Sequence, residues 1–120
     1  MRDEPLEKQI EKEIRREMDR LGWHTEKIHG GRFQSGLPDL HCFHRVHGYR
    51  WVEVKRPKSG RLTNHQMVKF PVLDASGQGI WILTSADQID LLFKDPNWKL
   101  WLPKRDKAKE LSDLLGALSR

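Results

Sequence analysis

The sequence has a single cysteine in 120 residues and no long hydrophobic segment. One thiol cannot form an intramolecular disulfide, so Cys42 fits a reducing compartment, where a small buried side chain is its ordinary role. The longest apolar runs, such as residues 79–83, are far too short to cross a bilayer, and the first residues are charged rather than typical of an export signal. We therefore expect an intracellular, cytoplasmic protein without a membrane span.

Length and charge bound the class of protein. A chain of 120 residues admits one compact domain, and we expect it to span 1–120, with a core over about 6–94 and a tail over about 95–120. The 22 Lys and Arg residues exceed the 17 Asp and Glu residues, which gives a formal net charge of +5. A basic chain of this kind favours a polyanionic partner.

The positive charge is concentrated in the middle of the chain. Residues 2–20 hold six basic and seven acidic side chains, whereas residues 27–69 hold nine basic and only two acidic ones, a local excess of nine minus two, or +7. The two acids are Asp39 and Glu53. Carboxylates that are surrounded by basic residues ordinarily form ion pairs with them. The spacing and neighbours of these two acids therefore decide whether they form a functional site instead.

Hydrophobic periodicity predicts the element order α-β-β-β-α-β, followed by helical segments. Thr63 and Gln66 form a capping box that opens the second helix, and Ser85 and Gln88 match the same pattern. The predicted elements are a helix over 6–21, strands over 23–29, 37–43 and 50–55, a helix from 64 through the proline at 71, a strand over 80–84, a helix over 85–94 and an amphipathic C-terminal helix.

Asp39, Glu53 and Lys55 have the residue types of a phosphodiester-cleaving site. Glu53 and Lys55 are two apart on one predicted strand, so their side chains share a face, and Asp39 lies near the start of the neighbouring strand. Two convergent carboxylates suit Mg²⁺, which binds through one or two carboxylates together with water and phosphate oxygens. A neighbouring lysine can activate the nucleophile or stabilise negative charge on the phosphate.

Three segments together resemble the VRR-NUC branch, the virus-type replication-repair nucleases, of the PD-(D/E)xK nuclease superfamily. They are GLPDL at 36–40, WVEVKRP at 51–57 and GRLTNHQ at 60–66. The similarity extends over roughly residues 7–84. It implies an α/β fold with a restriction-endonuclease-like core (α-β-β-β-α-β), which the C-terminal helical tail would follow.

The resemblance also implies the roles of individual residues. Asp39 and Glu53 would ligate Mg²⁺ or Mn²⁺, together with the backbone carbonyl of Val54. Lys55 would be the catalytic lysine. The enzyme would then be a metal-dependent deoxyribonuclease that cuts DNA as an endonuclease.

Two further positions have alternatives. A glutamate on the first helix commonly completes the site in this family, and Glu7 is the better match, with Glu11 one turn later as the second choice. Gln66 matches the family's downstream glutamine, yet its capping-box role is a sufficient structural reason for its presence. The basic residues expected to contact DNA are Arg32, Arg56, Lys58 and Arg61.

The family resemblance suggests partners as well. Stand-alone members resemble structure-selective, Holliday-junction-type nucleases of DNA repair, which implies branched DNA as the substrate and a homodimer, with the C-terminal leucine stripe as a candidate interface. The alternatives are a non-catalytic nucleic-acid-binding module with a nuclease-like scaffold, and cleavage of RNA instead of DNA. The histidines at 41, 44 and 47 match no closed zinc pattern, so we expect them to be solvated residues of a hairpin.

Overall fold

A four-stranded mixed sheet with helices on both faces organises the chain. The computed structural model describes residues 4–28, 35–103 and 115–116. The sheet order is β1-β2-β3-β4; β2 pairs antiparallel with both β1 and β3, and β4 pairs parallel with β3. The elements are α1 (Glu7–Arg20), β1 (His24–Lys27), β2 (Leu40–His44), β3 (Gly48–Val54), α2 (Asn64–Ala75), β4 (Ile80–Leu83) and two 3₁₀ helices (Ala86–Phe93 and Trp98–Trp101). The predicted α-β-β-β-α-β core is confirmed.

The first helix covers one face of the sheet. Ile10, Ile14 and Met18 recur at helical spacing and are buried. They share a core with inward-facing side chains of the strands and of the first 3₁₀ helix, among them Leu40, Cys42, Val52, Val54, Ile89 and Leu92. Burial of a large apolar side chain contributes about 1.5–3 kcal/mol, so this stripe fixes the position of α1, whose first residue is Glu7.

The second helix packs on the opposite face. Its capping box forms as predicted: the Thr63 hydroxyl accepts from the Gln66 N–H at 3.1 Å, and the Gln66 side-chain oxygen accepts from the Thr63 N–H at 3.0 Å. Phe70 is fully buried with Ile80, Ile82 and Trp98. The helix continues through Pro71, and its start is thereby held against the strand that carries Glu53.

The first three strands differ from their predicted bounds. The strand predicted over 50–55 is Gly48–Val54, so Lys55 lies just beyond the end of β3. The segment predicted as a strand over 37–43 enters the sheet only at Leu40, because Pro38 has no N–H to donate to a neighbouring strand. Asp39 therefore lies just outside β2. The predicted strand over 23–29 is His24–Lys27, and the hairpin between β2 and β3 pairs His41 with Trp51.

The second predicted capping box does not open an α-helix. Residues Ala86–Phe93 form a 3₁₀ helix, and the Ser85 side chain makes no cap hydrogen bond. Gln88 instead accepts from the Thr84 N–H at 2.8 Å and from the Thr84 hydroxyl at 3.2 Å. Gln88 thus accepts hydrogen bonds from the residue that follows β4 and does not cap a helix. The predicted α-helix over 85–94 is therefore wrong.

The C-terminal region is described only in part. Trp98 is buried in the core of the α2 face. The predicted amphipathic helix lies outside the described residues except for 115–116. Within the described ranges, no helix has the length and hydropathy that crossing a bilayer would require.

Candidate active site

Asp39 and Glu53 meet at the edge where β2 begins and β3 ends. The Asp39 N–H donates to Glu53 Oε1 at 3.0 Å, and the Val54 N–H donates to Asp39 Oδ2 at 3.3 Å. Each carboxylate is thus held by the backbone of the segment that carries the other. Glu53 is only 1% exposed, because its side chain faces into the layer between β3 and α2. These hydrogen bonds fix both carboxylates before any ligand arrives.

A third carboxylate comes from the start of α1. One oxygen each from Glu7, Asp39 and Glu53 lie within 4.8 Å of one another. Glu11 is engaged elsewhere, since its Oε1 lies 2.5 Å from the Lys27 ammonium. Of the two glutamates that the sequence offered, the structure brings Glu7 into the cluster.

Burial raises the pKa of all three carboxylates, and the charge of Asp39 adds to this effect for the other two. Burial, followed by the charge of Asp39, raises the pKa of Glu53 to about 8. Burial raises the pKa of Asp39 as well, and burial and the Asp39 charge raise the pKa of Glu7. A divalent cation would reduce the repulsion between these carboxylates, and carboxylate oxygens are the ligands that Mg²⁺ and Mn²⁺ prefer. The donor set therefore fits Mg²⁺ or Mn²⁺.

Lys55 lies beside this cluster and is itself 5% exposed. Its Nζ is 3.3 Å from Glu53 Oε2 and donates to Gln66 Oε1 at 2.9 Å. The same Gln66 oxygen accepts from the Thr63 N–H. Gln66 therefore caps α2 and accepts a hydrogen bond from Lys55 with the same oxygen, and its catalytic role stays a prediction. The Val54 N–H is accounted for by Asp39, and a metal-binding role for its carbonyl stays a prediction.

Three of the four predicted DNA-binding residues lie in the turn segment that follows Lys55 directly. The Arg56 guanidinium donates to the backbone carbonyls of Pro5 and Glu4, both at 2.9 Å. Arg61 donates to the carbonyls of Lys58 and Gly60 at 3.0 and 2.7 Å. The Lys58 side chain is exposed, and Arg32 lies outside the described residues.

Sequence reasoning missed Glu4, whose carboxylate contacts the turn at residues 56–59. More than fifty residues separate the two segments. Only the packing of α1 on the sheet brings them together, so the sequence carries no local signal for this contact.

The hairpin histidines at 41, 44 and 47 belong to no cluster of metal-ligating side chains in the described part of the chain. Among residues 4–28, 35–103 and 115–116, the three-carboxylate cluster is the only group of three or more metal-ligating side chains close enough to hold an ion. His41 also differs from the solvated residue expected, since its ring packs 4.2 Å from that of Trp51 and burial lowers its pKa. The candidate metal centre is therefore the cluster of three carboxylates and not the hairpin histidines.

Comparison with known proteins supports the fold. Neither the protein-family models nor the curated proteins give a match to this chain. A solved structure described as a VRR_NUC domain is similar to it, with a TM-score of 0.62 and 24% sequence identity, over 73% of this chain and 94% of that one. The chain therefore has the fold of a VRR-NUC domain.

Proposed function

We propose that this protein is a metal-dependent endonuclease that hydrolyses phosphodiester bonds in DNA. The observation that carries the proposal is the convergence of three carboxylates with a buried lysine on a nuclease-type fold. A purely structural ion pair would need one carboxylate for Lys55, whereas three are gathered here. Within the described part of the chain, Glu7 and Asp39 make no ion pair with a basic side chain, which supports their binding a cation from solution.

Each residue of the site has a role in this proposal. Glu7, Asp39 and Glu53 would hold Mg²⁺ or Mn²⁺, with the Val54 carbonyl as a further ligand. Bound there, the ion supplies a Lewis acid for the phosphate that is cut. Lys55, fixed by Gln66, presents its positive charge beside that phosphate, where it stabilises the charge that develops in the transition state.

The finer features of the proposal concern the substrate and the assembly. The exposed Lys58 and Arg61 extend the positive charge from Lys55 along the surface, which supports contact with the DNA backbone. Branched DNA as the preferred substrate, a repair role, a homodimer and an intracellular location rest on the family resemblance and on composition. They are part of the proposal on that basis.

The direct test is cleavage of a four-way junction, a flap and a linear duplex in Mg²⁺, Mn²⁺ or EDTA. We expect metal-dependent nicks from the wild type, and a loss of at least about 100-fold in rate for Lys55→Ala, since one transition-state charge contact is worth about that much. Lys12→Ala removes an exposed lysine of α1 and serves as the matched control. If wild type and Lys55→Ala are equally inert on all three substrates, the protein is not this enzyme.

A second experiment tests the proposed metal ligands. Asp39→Ala and Glu53→Gln should lose cleavage while keeping DNA affinity, because they remove negative charge from the DNA-facing site. Melting temperatures measured with and without Mg²⁺ then separate a lost ligand from a lost fold. Salt-sensitive DNA binding without nicks would favour the non-catalytic module, and matched RNA substrates decide between DNA and RNA.

A further inference from the structure

The turn after the catalytic lysine forms a pocket of hydrogen-bond donors around the carboxylate of Glu4. The Lys58 N–H donates to Glu4 Oε2 at 2.7 Å, and the Ser59 N–H donates to Glu4 Oε1 at 2.9 Å. The Ser59 hydroxyl also donates to Glu4 Oε1, and the Arg56 Nε lies 3.5 Å from that oxygen. The Glu4 side chain is only 10% exposed, so the donors enclose it.

This donor set is of the kind that binds oxyanions. Successive backbone N–H groups in a turn form an anion-binding concavity, and a guanidinium adds a charge-assisted contact. Residues 55–61 contain four basic side chains and no acidic one. The carboxylate that these donors bind comes from a segment more than fifty residues earlier in the chain. The turn therefore binds an anion that its own segment does not supply.

The position of the turn suits a DNA phosphate. Lys58 follows Lys55 by three residues, so its N–H lies within about 11 Å of the lysine backbone. Lys58 and Ser59 are both exposed, so a strand that enters the active site can reach them. A phosphodiester offers two anionic oxygens, as a carboxylate does, and can accept the same hydrogen bonds.

We infer that the Arg56–Ser59 turn binds a phosphate of the DNA strand next to the one that is cut, and that Glu4 occupies this site in the free protein. The inference rests on the proposed function and adds a second phosphate position to it. DNA binding exchanges the Glu4 carboxylate for the phosphate, and the carboxylate rotates out to solvent.

The N-terminal segment can stay in place during this exchange. Arg56 donates to the backbone carbonyls of Glu4 and Pro5, and these bonds do not involve the Glu4 side chain. The start of α1, and with it Glu7, therefore remains tied to the turn while the carboxylate leaves. Glu4 acts as a competitor for the phosphate, and its removal should strengthen DNA binding.

The test compares Glu4→Gln with Glu13→Gln, an exposed residue of α1 that changes the net charge equally. Binding to a labelled junction is measured in EDTA over a range of salt concentrations. We expect Glu4→Gln to bind about fivefold more tightly than Glu13→Gln, since no carboxylate has to be displaced, and to keep the same slope of log affinity against log salt, since the same phosphates are bound in both variants. Equal or weaker binding by Glu4→Gln would make Glu4 a structural tether and overturn the inference.

Ser59→Ala tests the site without removing the carboxylate. The hydroxyl serves Glu4 and the phosphate alike, so its loss should change affinity little in the wild type but weaken binding two- to threefold in Glu4→Gln. Additive effects of the two substitutions would contradict a shared site. This comparison within the double-mutant cycle holds even if Glu4→Gln is less stable, provided that melting curves show it folded at the assay temperature.

A direct observation is available from the amide resonances of Lys58 and Ser59. Titration with inorganic phosphate should shift them at lower concentration in Glu4→Gln than in the wild type. Identical titrations would refute the exchange. If none of the variants binds DNA, the proposed function fails; if all of them bind DNA equally, only the phosphate site is wrong.

Discussion

At the residue scale, Glu53 shows how burial changes the acidity of an ordinary carboxylate. Its side chain accepts from the Asp39 N–H at 3.0 Å and lies 3.3 Å from the Lys55 ammonium. These contacts hold the carboxylate in place but do not offset its loss of hydration and its repulsion by Asp39, so its pKa rises to about 8. The native fold without metal therefore favours the protonated form of Glu53.

This pKa predicts how stability depends on pH. In the unfolded chain Glu53 ionises near its ordinary pKa of 4.5, whereas the folded protein keeps the proton until about pH 8. The stability that the neutral side chain contributes is complete below pH 4.5 and is lost as the pH rises to about 8. In EDTA, the free energy of unfolding of the wild type should fall between pH 5 and pH 9 by about 2 kcal/mol more than that of Glu53→Gln, which cannot ionise.

Urea unfolding across this pH range measures the effect. Glu13→Gln, an exposed control, should follow the wild type. Addition of Mg²⁺ should restore stability at high pH in the wild type and not in Glu53→Gln, because the ion binds the ionised carboxylate. Parallel pH profiles for the wild type and Glu53→Gln would mean that Glu53 is ionised throughout.

At the scale of elements, α2 links the fold to the site through its first turn. The Thr63 box was correctly predicted because the pattern is followed by a helix that buries Phe70 on the sheet. The Ser85 box has the same local pattern, yet Gln88 binds the end of β4 instead. A capping pattern therefore predicts a helix only where the tertiary structure leaves its side chains free to cap.

Pro71 is a second feature of α2 with a measurable consequence. Proline lacks the N–H that would bond to the carbonyl four residues earlier, at Met67, and it lies in the helix interior, where it is exposed to solvent. Pro71→Ala should raise the free energy of unfolding by about 1–2 kcal/mol, after allowance for the greater freedom of the unfolded chain.

Urea unfolding of Pro71→Ala at constant pH measures this change. Val72→Ala replaces the adjacent exposed residue of α2, and it should change the stability by less than about 0.5 kcal/mol. A destabilised Pro71→Ala would show that the proline ring makes a packing contact worth more than the hydrogen bond that alanine restores.

At the scale of the whole molecule, ion pairs use part of the positive charge that lies between residues 27 and 69. The Lys27 ammonium lies 2.5 Å from Glu11. The Arg56 Nε lies 3.5 Å from Glu4 Oε1. Glu11 and Glu4 both come from outside residues 27–69, so each of these two pairs offsets one charge of the local excess. The field available to DNA is therefore smaller than the local +7, and it is carried by exposed side chains such as Arg45 and Lys58.

DNA affinity should accordingly show a moderate salt dependence. We expect a slope of log affinity against log salt between about −2 and −4, less than the nine basic residues alone would give. Fluorescence anisotropy with a labelled duplex measures the slope, and Lys58→Ala should reduce its magnitude by about one while Lys12→Ala leaves it unchanged. A slope near −8 would mean that the Lys27–Glu11 and Lys55–Glu53 pairs also open on binding.

The sequence by itself determined the order of the core elements and the types of residue at the site. Periodicity and capping placed Asp39, Glu53, Lys55 and Gln66 on neighbouring elements, because these signals depend on residues a few positions apart. Only the tertiary structure decided that Glu7 rather than Glu11 joins Asp39 and Glu53, and that Glu4 occupies the turn after Lys55. Such contacts depend on how α1 packs against the sheet, and packing between distant segments leaves no local pattern in the chain.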